Sequence, residues 1–338
     1  MNFLLTKPVC VAALLFTALT CAGAPPMKIK LATLAPTGSS SYKSLLTLRE
    51  SWKKTSQGSV DLIVYGDGKL GGEADTVNLM SVNSVQASML TAVGLSEIEQ
   101  GVAGLQNIPM GFRTLEEVDY VGEKLHPLLQ ERLAKKGFVV LFWFDAGWVR
   151  FFAKEPFATP AELKKLKLFT WAGSPEQVEI YKSAGFLPVP LETADILPGL
   201  QTGLIEAVPA PPVFALAGQM DTRAPHMLEL NWGPLVCACV VRKETWDAIP
   251  AEYRQSMLAA ATAAGAEIQV HARRESDDSV KAMQARGLKV TRVTPEVEAQ
   301  WRAVAEATYP RIRGTIVPAD VFDQALAAIQ EYRSKPVK

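Results

Sequence analysis

From Ala251 to about Arg286 the chain keeps a helical pattern with no proline to interrupt it. At 1.5 Å per residue such a helix reaches on the order of 50 Å. That is longer than one small domain, so the pattern demands two units with this helix crossing both, and Gly265 is where it would bend. A length of 338 residues agrees, since it gives a soft prior of about two domains and allows a large buried core.

Ahead of that helix the sequence alternates strand and helix. MKIKLATLAP places Ile29, Leu31 and Thr33 at every second position, a short strand, and Thr37 to Ser41 form a turn that can cap a helix. Tyr42, Leu45, Leu46, Leu48 and Trp52 give that helix its apolar face. VDLIVY, residues 60–65, is the next strand, and the glycines between Gly66 and Gly72 form a loop into another helix. This loop lacks the Lys-Ser/Thr ending of a phosphate loop and does not match a dinucleotide fingerprint, so it reads as turn geometry. VQASMLTAV is a strand, and Ile108 to Phe112 make an apolar turn before Thr114, which forms a capping box with Glu117. Helical pattern then continues to Lys136, interrupted by Pro127 and stopped by Gly137. FVVLFWF, residues 138–144, is continuously apolar, as expected for a parallel strand covered on both faces. The order implies helices on both sides of a mostly parallel sheet.

A second unit begins near Gly147 and Trp148. Its centre, Leu163 to Pro212, reads as strand, helix, strand, helix, strand. Ser174 and Pro175 open a helix that Gly185 ends, and Asp195 with Pro198 opens one that Gly203 ends. The strand ends carry aromatic, aliphatic or proline residues, which suits holding something apolar and not acid–base chemistry. After GPLVCACVV and the crossing helix, Thr294 and Pro295 open a helix containing Trp301, and Pro318 opens the last. With no repeat and no Gly/Ser linker, the expected fold is a two-domain α/β clam with hinge strands. Residues 25–147 plus about 235–270 make one domain, and 148–234 plus about 271–338 the other.

Residues 1–24 have Lys7, an apolar run from Val9 to Leu19, and small residues Ala22, Gly23 and Ala24, the layout of a secretory signal peptide. Pro25 disfavours a cut directly after Ala24, and an alternative start is a lipid-modified Cys21, which Thr20 before it fits poorly. Without Lys7, 34 basic side chains face 35 acidic ones, a balance that argues against a nucleic-acid surface. Cys237 and Cys239 would share one side of a strand, two residues apart, where a bridge would strain disulfide geometry. They read as buried free thiols. His126, His226 and His271 are scattered, and Lys164, Lys165 and Lys167 read as a solvated edge.

Trp52 with LysLysThrSerGlnGly (53–58), LeuGlyGlyGlu (70–73), IleProMetGlyPhe (108–112), ThrProAlaGluLeuLysLysLeuLys (159–167), LeuGlnThrGly (200–203) and ArgLysGluThrTrp (242–246) resemble solute-binding proteins of tripartite ATP-independent periplasmic (TRAP) transporters, the DctP-type family. The similarity covers nearly the whole mature chain in order. It implies two α/β domains joined by hinge strands, a ligand enclosed by closure, a periplasmic location, and delivery to a membrane permease driven by an ion gradient. The family commonly grips organic acids with an arginine in a Lys-Ile-Arg-Val strand, because a planar guanidinium matches two carboxylate oxygens. Here that strand reads Lys167, Leu168, Phe169, Thr170, so Phe169 takes the arginine's place. The usual Gln-Glu-Asn falls near Val208, Pro209 and Ala210. A second family arginine would stand at Val149, with Arg150 one place out of register. Leu34 and Thr91 fall where polar or acidic cleft contacts are often found.

These departures shift the expected ligand to a mainly apolar or amphipathic molecule. Its walls would be Leu34, Thr91, Trp148, Val149, Phe169, Trp171, Ala210, Pro211, Phe214 and Trp232, with Arg150 or Asn231 at a polar end. The pattern is similar to a subgroup paired with a tetratricopeptide-repeat partner. Competing readings are a carboxylate ligand caught by Arg150, and a periplasmic sensor presenting its closed form to a receptor. An exported enzyme is disfavoured, since the chain has no HExxH, no GxSxG, no Cys/His pair and no phosphate loop. No cofactor and no metal are expected.

Overall fold

The computed structural model describes residues 25–335 apart from Gly173; the leader, its cleavage point and Cys21 lie outside the described residues. The strands are β1 (Met27–Thr33), β2 (Val60–Tyr65), β3 (Ala87–Thr91), β4 (Phe138–Ala153), β5 (Lys167–Trp171), β6 (Leu187–Leu191), β7 (Ala207–Ala210), β8 (His226–Arg242) and β9 (Lys289–Arg292). The helices are α1 (Ser40–Thr55), α2 (Glu73–Ser81), α3 (Ala92–Ile98), α4 (Leu115–Lys135), α5 (Pro160–Leu163), α6 (Pro175–Ser183), α7 (Ile196–Thr202), α8 (Pro212–Ala217), α9 (Lys243–Ala248), α10 (Ala251–Ala285), α11 (Pro295–Ile312) and α12 (Ala319–Ser334).

Among the described residues the strands join one sheet in the order β2-β1-β3-β8-β4-β7-β5-β6, with β9 beside β8. Two parallel blocks flank an antiparallel centre. β1 pairs parallel with β2 and β3, and β5 pairs parallel with β6 and β7. Between the blocks, β4 and β8 run antiparallel along most of their length, β8 meeting β3 at Cys237–Val241 and β4 meeting β7 at Arg150–Ala153. These two strands cross from one block to the other.

Residues 138–144 are therefore not a parallel strand. Their unbroken apolar run reflects cover on both faces: Phe142 and Phe144 pack with α1 and α10, and Val140 packs on the other side beneath Leu95 and Leu133. Apolar continuity reports burial and not strand direction. The strand also continues past Phe144 to Ala153, with register shifts at Asp145/Trp148 and Val149/Phe151. β3 is shorter than its apolar sequence, because Thr91 accepts a hydrogen bond from the Val93 amide and starts α3 at Ala92.

Helix α10 serves two cores. Met257, Ala261, Ala264 and Ile268 are buried with Ile29, Leu31, Leu48, Trp52 and Cys239, and the Trp52 indole donates to the Met257 carbonyl at 2.9 Å. Met283, further along, is buried with Phe152, Phe169, Leu200, Val208 and Met227. Gly265 lies inside the unbroken helix, and its role is a close approach: a Cβ there would stand 2.4 Å from the Phe142 Cβ. At the far edge, β6 carries Pro188 and Pro190. The Leu191 carbonyl accepts from the Ala172 amide, so residues 187, 189 and 191 face β5 and both prolines face outward.

Candidate ligand-binding site

Strand direction sets the geometry. β3 runs antiparallel to β8, β8 to β4, and β4 to β7, so the carboxyl ends of β1 and β3 point toward those of β5 and β7. Thr91 ends β3 at the level of Cys237, whose partner on β4 is Phe144, and Ala210 ends β7 opposite Arg150. The intervening residues of β4 span on the order of 20 Å at about 3.3 Å each. Open α/β units bind ligands in the gap beyond such carboxyl ends.

On the first side, Leu34 follows β1 and is half-buried, its Cδ2 lying 3.2 Å from where a Cβ on Gly68 would be. The Thr91 hydroxyl is committed, donating to Glu73 Oε2 at 2.6 Å and accepting from the Val93 amide at 3.2 Å. Glu73 Oε1 accepts from the Thr91 amide at 2.6 Å, and Oε2 also accepts from the Gly94 amide at 3.0 Å. Burial pushes the Glu73 carboxyl up, against those three hydrogen bonds. Glu73 thus ties α2 to the end of β3, and the Thr91 oxygen is engaged within the protein.

On the second side, Arg150, Phe152, Val208 and Ala210 share one sheet face through the β4–β7 register, and Phe169 packs into that cluster. Trp171 follows Phe169 on the same face and is half-buried at the end of β5. Pro211 caps α8 in an extended conformation. Phe214 and Val149 both pack against the first core. Asn231 alternates with Leu230 and Trp232, so it faces the Arg150 side of β8, half-buried.

Trp148 and Trp232 stand elsewhere. Trp148 is buried with Leu105, Ile108, Val118 and Val236 beneath α4 and α12. Trp232 is set on the opposite face of β8, its ring 5.2 Å from Phe151 and 5.9 Å from Trp301. Trp148 is a core aromatic, and Trp232 is half-buried among the aromatics of the opposite face.

Arg150 is the unusual group. It is half-buried, and among the described residues it has no ion-pair partner within 4.0 Å, while its buried Nε has no hydrogen-bond acceptor. Burial pulls its guanidinium down from the ordinary value, and Glu229 and Asp277 oppose that at longer range. Glu229 is itself engaged with Arg292 at 3.3 Å. A half-buried cation left unpaired is costly unless an anion comes to it.

Sequence reasoning missed three supports of this region. Glu73 lies in the LeuGlyGlyGlu stretch, where its place at the start of α2 signals only a helix terminus. The Ile108–Phe112 turn is a strap: the Met110 amide donates to the Trp232 carbonyl at 2.7 Å, and the carbonyls of Pro109, Met110 and Gly111 accept from Tyr309, Arg302 and Arg333. Arg273 of α10 reaches Asp145 and Asp119, partners more than a hundred residues away that no local pattern reveals.

Comparison with known proteins agrees with this architecture. The C4-dicarboxylate-binding periplasmic protein DctP of Rhodobacter capsulatus is 24% identical over 288 residues, 83% of this chain and 85% of that one. A TRAP periplasmic solute-binding protein from Shewanella oneidensis with bound succinate superposes with a TM-score of 0.82 at 20% identity, covering 90% of this chain and 99% of that one. The sugar acid binding protein DctPAm from Advenella mimigardefordensis, in complex with galactonate, gives 0.82 at 16% identity over 91% and 99%. Residues 31–314 match the family described as DctP, bacterial extracellular solute-binding protein, family 7. With a match over most of its length, and with two sheet blocks facing one another across a pair of crossing strands, the chain belongs to the DctP family of bacterial extracellular solute-binding proteins.

Proposed function

We propose that this protein captures an amphipathic small molecule with one anionic end in the gap between its two units and delivers it to a TRAP-type membrane permease. Arg150 carries the reading: a half-buried cation without an anionic partner among the described residues, on the sheet face that bears Ala210 and Phe169. A carboxylate fits the guanidinium fork, and the apolar body of the ligand lies along Phe169, Trp171, Ala210, Pro211 and Phe214. Asn231 supplies a second polar contact at the same end. Phe169, where the family places a gripping arginine, and the engaged hydroxyl of Thr91 disfavour a short dicarboxylate, which needs polar partners at both ends. The related proteins named above are described as binding C4-dicarboxylates, succinate or galactonate, all of them carboxylates. Periplasmic location follows the same relatives, and a tetratricopeptide-repeat partner is part of the proposal.

Mass spectrometry of organic extracts from protein purified without refolding, followed by calorimetric titration with decanoate, phenylacetate and succinate, tests this. Decanoate or phenylacetate should bind and succinate should not. Tight succinate binding that disappears in Arg150→Met would replace the amphipathic ligand with a small acid.

A further inference from the structure

The crossing segment of β4 is fastened to α10 by one charged cluster. Asp145 is 3% exposed and sits immediately before the register shift that ends at Trp148. Its Oδ1 accepts from the Gly147 amide at 3.0 Å, and both carboxylate oxygens accept from Arg273 Nε at 3.1 Å. The same guanidinium reaches α4, where Nη1 donates to Asp119 Oδ2 at 2.9 Å, and Gln269 Nε2 donates to Asp119 Oδ1 at 2.9 Å. Gly147 has φ +78°, and a Cβ there would stand 3.2 Å from the Ser276 hydroxyl. Gln269, Arg273 and Ser276 lie about one helical turn apart on α10. They fall between Ile268, buried in the first core, and Met283, buried in the second.

A buried ion pair is a poor source of stability, because desolvation offsets its attraction, but it fixes geometry when every donor and acceptor is matched. Here the matched groups belong to a helix that serves both cores and to the strand that crosses between them. Beyond Gly147 the next residues are Trp148, Val149 and Arg150. We propose that Arg273 is a positioning residue for ligand capture: through Asp145 it fixes the pivot of β4, and so sets the resting separation of the two units and the aim of Arg150. This rests on the reading that the units close around a ligand.

Spin labels at Val82→Cys and Leu204→Cys, side chains 69% and 49% exposed and on different units, give the interunit distance; Cys237 and Cys239 are buried. Pulsed electron resonance on the ligand-free protein compares the parent with Arg273→Met, Arg273→Lys and Asp119→Asn. The Arg273→Met distance distribution should shift or broaden, and its decanoate dissociation rate should change by roughly fivefold or more. Arg273→Lys should restore part of both, which generalised loosening of the fold would not do. A cooperatively melting Arg273→Met protein with the parent's distribution and rates overturns the proposal. Should Arg273→Met not fold, Asp119→Asn decides, since that side chain is 42% exposed; a parental distribution there is equally fatal. A parent whose distance ignores decanoate defeats the closure reading separately, because the pivot is read from ligand-free protein.

Discussion

Arg150 stands directly opposite Ala210 in the antiparallel ladder of β4 and β7, so a charged side chain and a single methyl share one face at the end of two strands. The pairing leaves the guanidinium beside a small neighbour. Arg150→Met should weaken decanoate binding by about 2–3 kcal/mol, the value of a charge-assisted hydrogen bond, while leaving the unfolding midpoint unchanged or raised. Titration calorimetry and urea denaturation read the two effects. Equal loss of stability and affinity would mean that the arginine is structural.

Thr91 offers the opposite case, a polar residue whose oxygen is spoken for by Glu73. Thr91→Val should cost about 1–3 kcal/mol of stability by removing a donor from a buried carboxylate. Decanoate affinity should stay within about twofold, because the hydroxyl does not serve the ligand. A large affinity change at constant stability would reassign that hydroxyl to the site.

His126 stacks on Trp143 at 4.7 Å with the rings within 3° of parallel, and burial pulls its imidazole down to about 4, against a smaller opposing effect of Asp119. The unfolded chain, near 6.5, therefore binds a proton that the folded protein refuses. Stability from this site is complete above pH 6.5 and is lost as the pH falls toward 4. The loss should approach about 3 kcal/mol. His126→Phe keeps the stack and removes the titration, so urea midpoints at pH 7.5 and 4.5 should lie closer together than in the parent.

Gly265 and Phe142 bring α10 onto β4 with no space for a methyl group, since a Cβ at Gly265 would stand 2.4 Å from Phe142 Cβ and 2.5 Å from its Cγ. Gly265→Ala gains helix propensity of about 1 kcal/mol yet should still destabilise, because overpacking costs about 1–3 kcal/mol and the strand is held at Phe142 by its pairing with Cys239 of β8. Thermal unfolding decides the sign, and a raised midpoint would show that the helix can step away.

Local chemistry was readable where one residue acts on its neighbours. Ser39, Thr114 and Thr294 accept from backbone amides three residues on, and Gly137, Gly185 and Gly203 take positive φ where helices end; the capping box expected at Thr114 forms only by half, because Glu117 accepts from the Arg113 amide instead of that of Thr114. Ser174 and Asp195 precede helices as expected, yet neither makes a side-chain cap bond. What the chain does not announce is which way a covered strand runs, or which face an aromatic takes. β4 is apolar on both faces and so reads alike in either direction. Trp232 shares the face of Leu230 beneath α11, a fact of tertiary packing. The pairing of Arg273 with Asp145 is likewise invisible in a helix whose polar residues all look solvated.

Pro188 and Pro190 give the far edge of the sheet a chemical asymmetry. A strand arriving there from another molecule would meet carbonyl acceptors but no amide donors at the two outward positions, so a ladder could not propagate. An extracellular solute-binding protein presents such an edge to whatever chains surround it. The edge strand of this one is therefore a poor template for cross-β growth, even with Leu187 half exposed beside it.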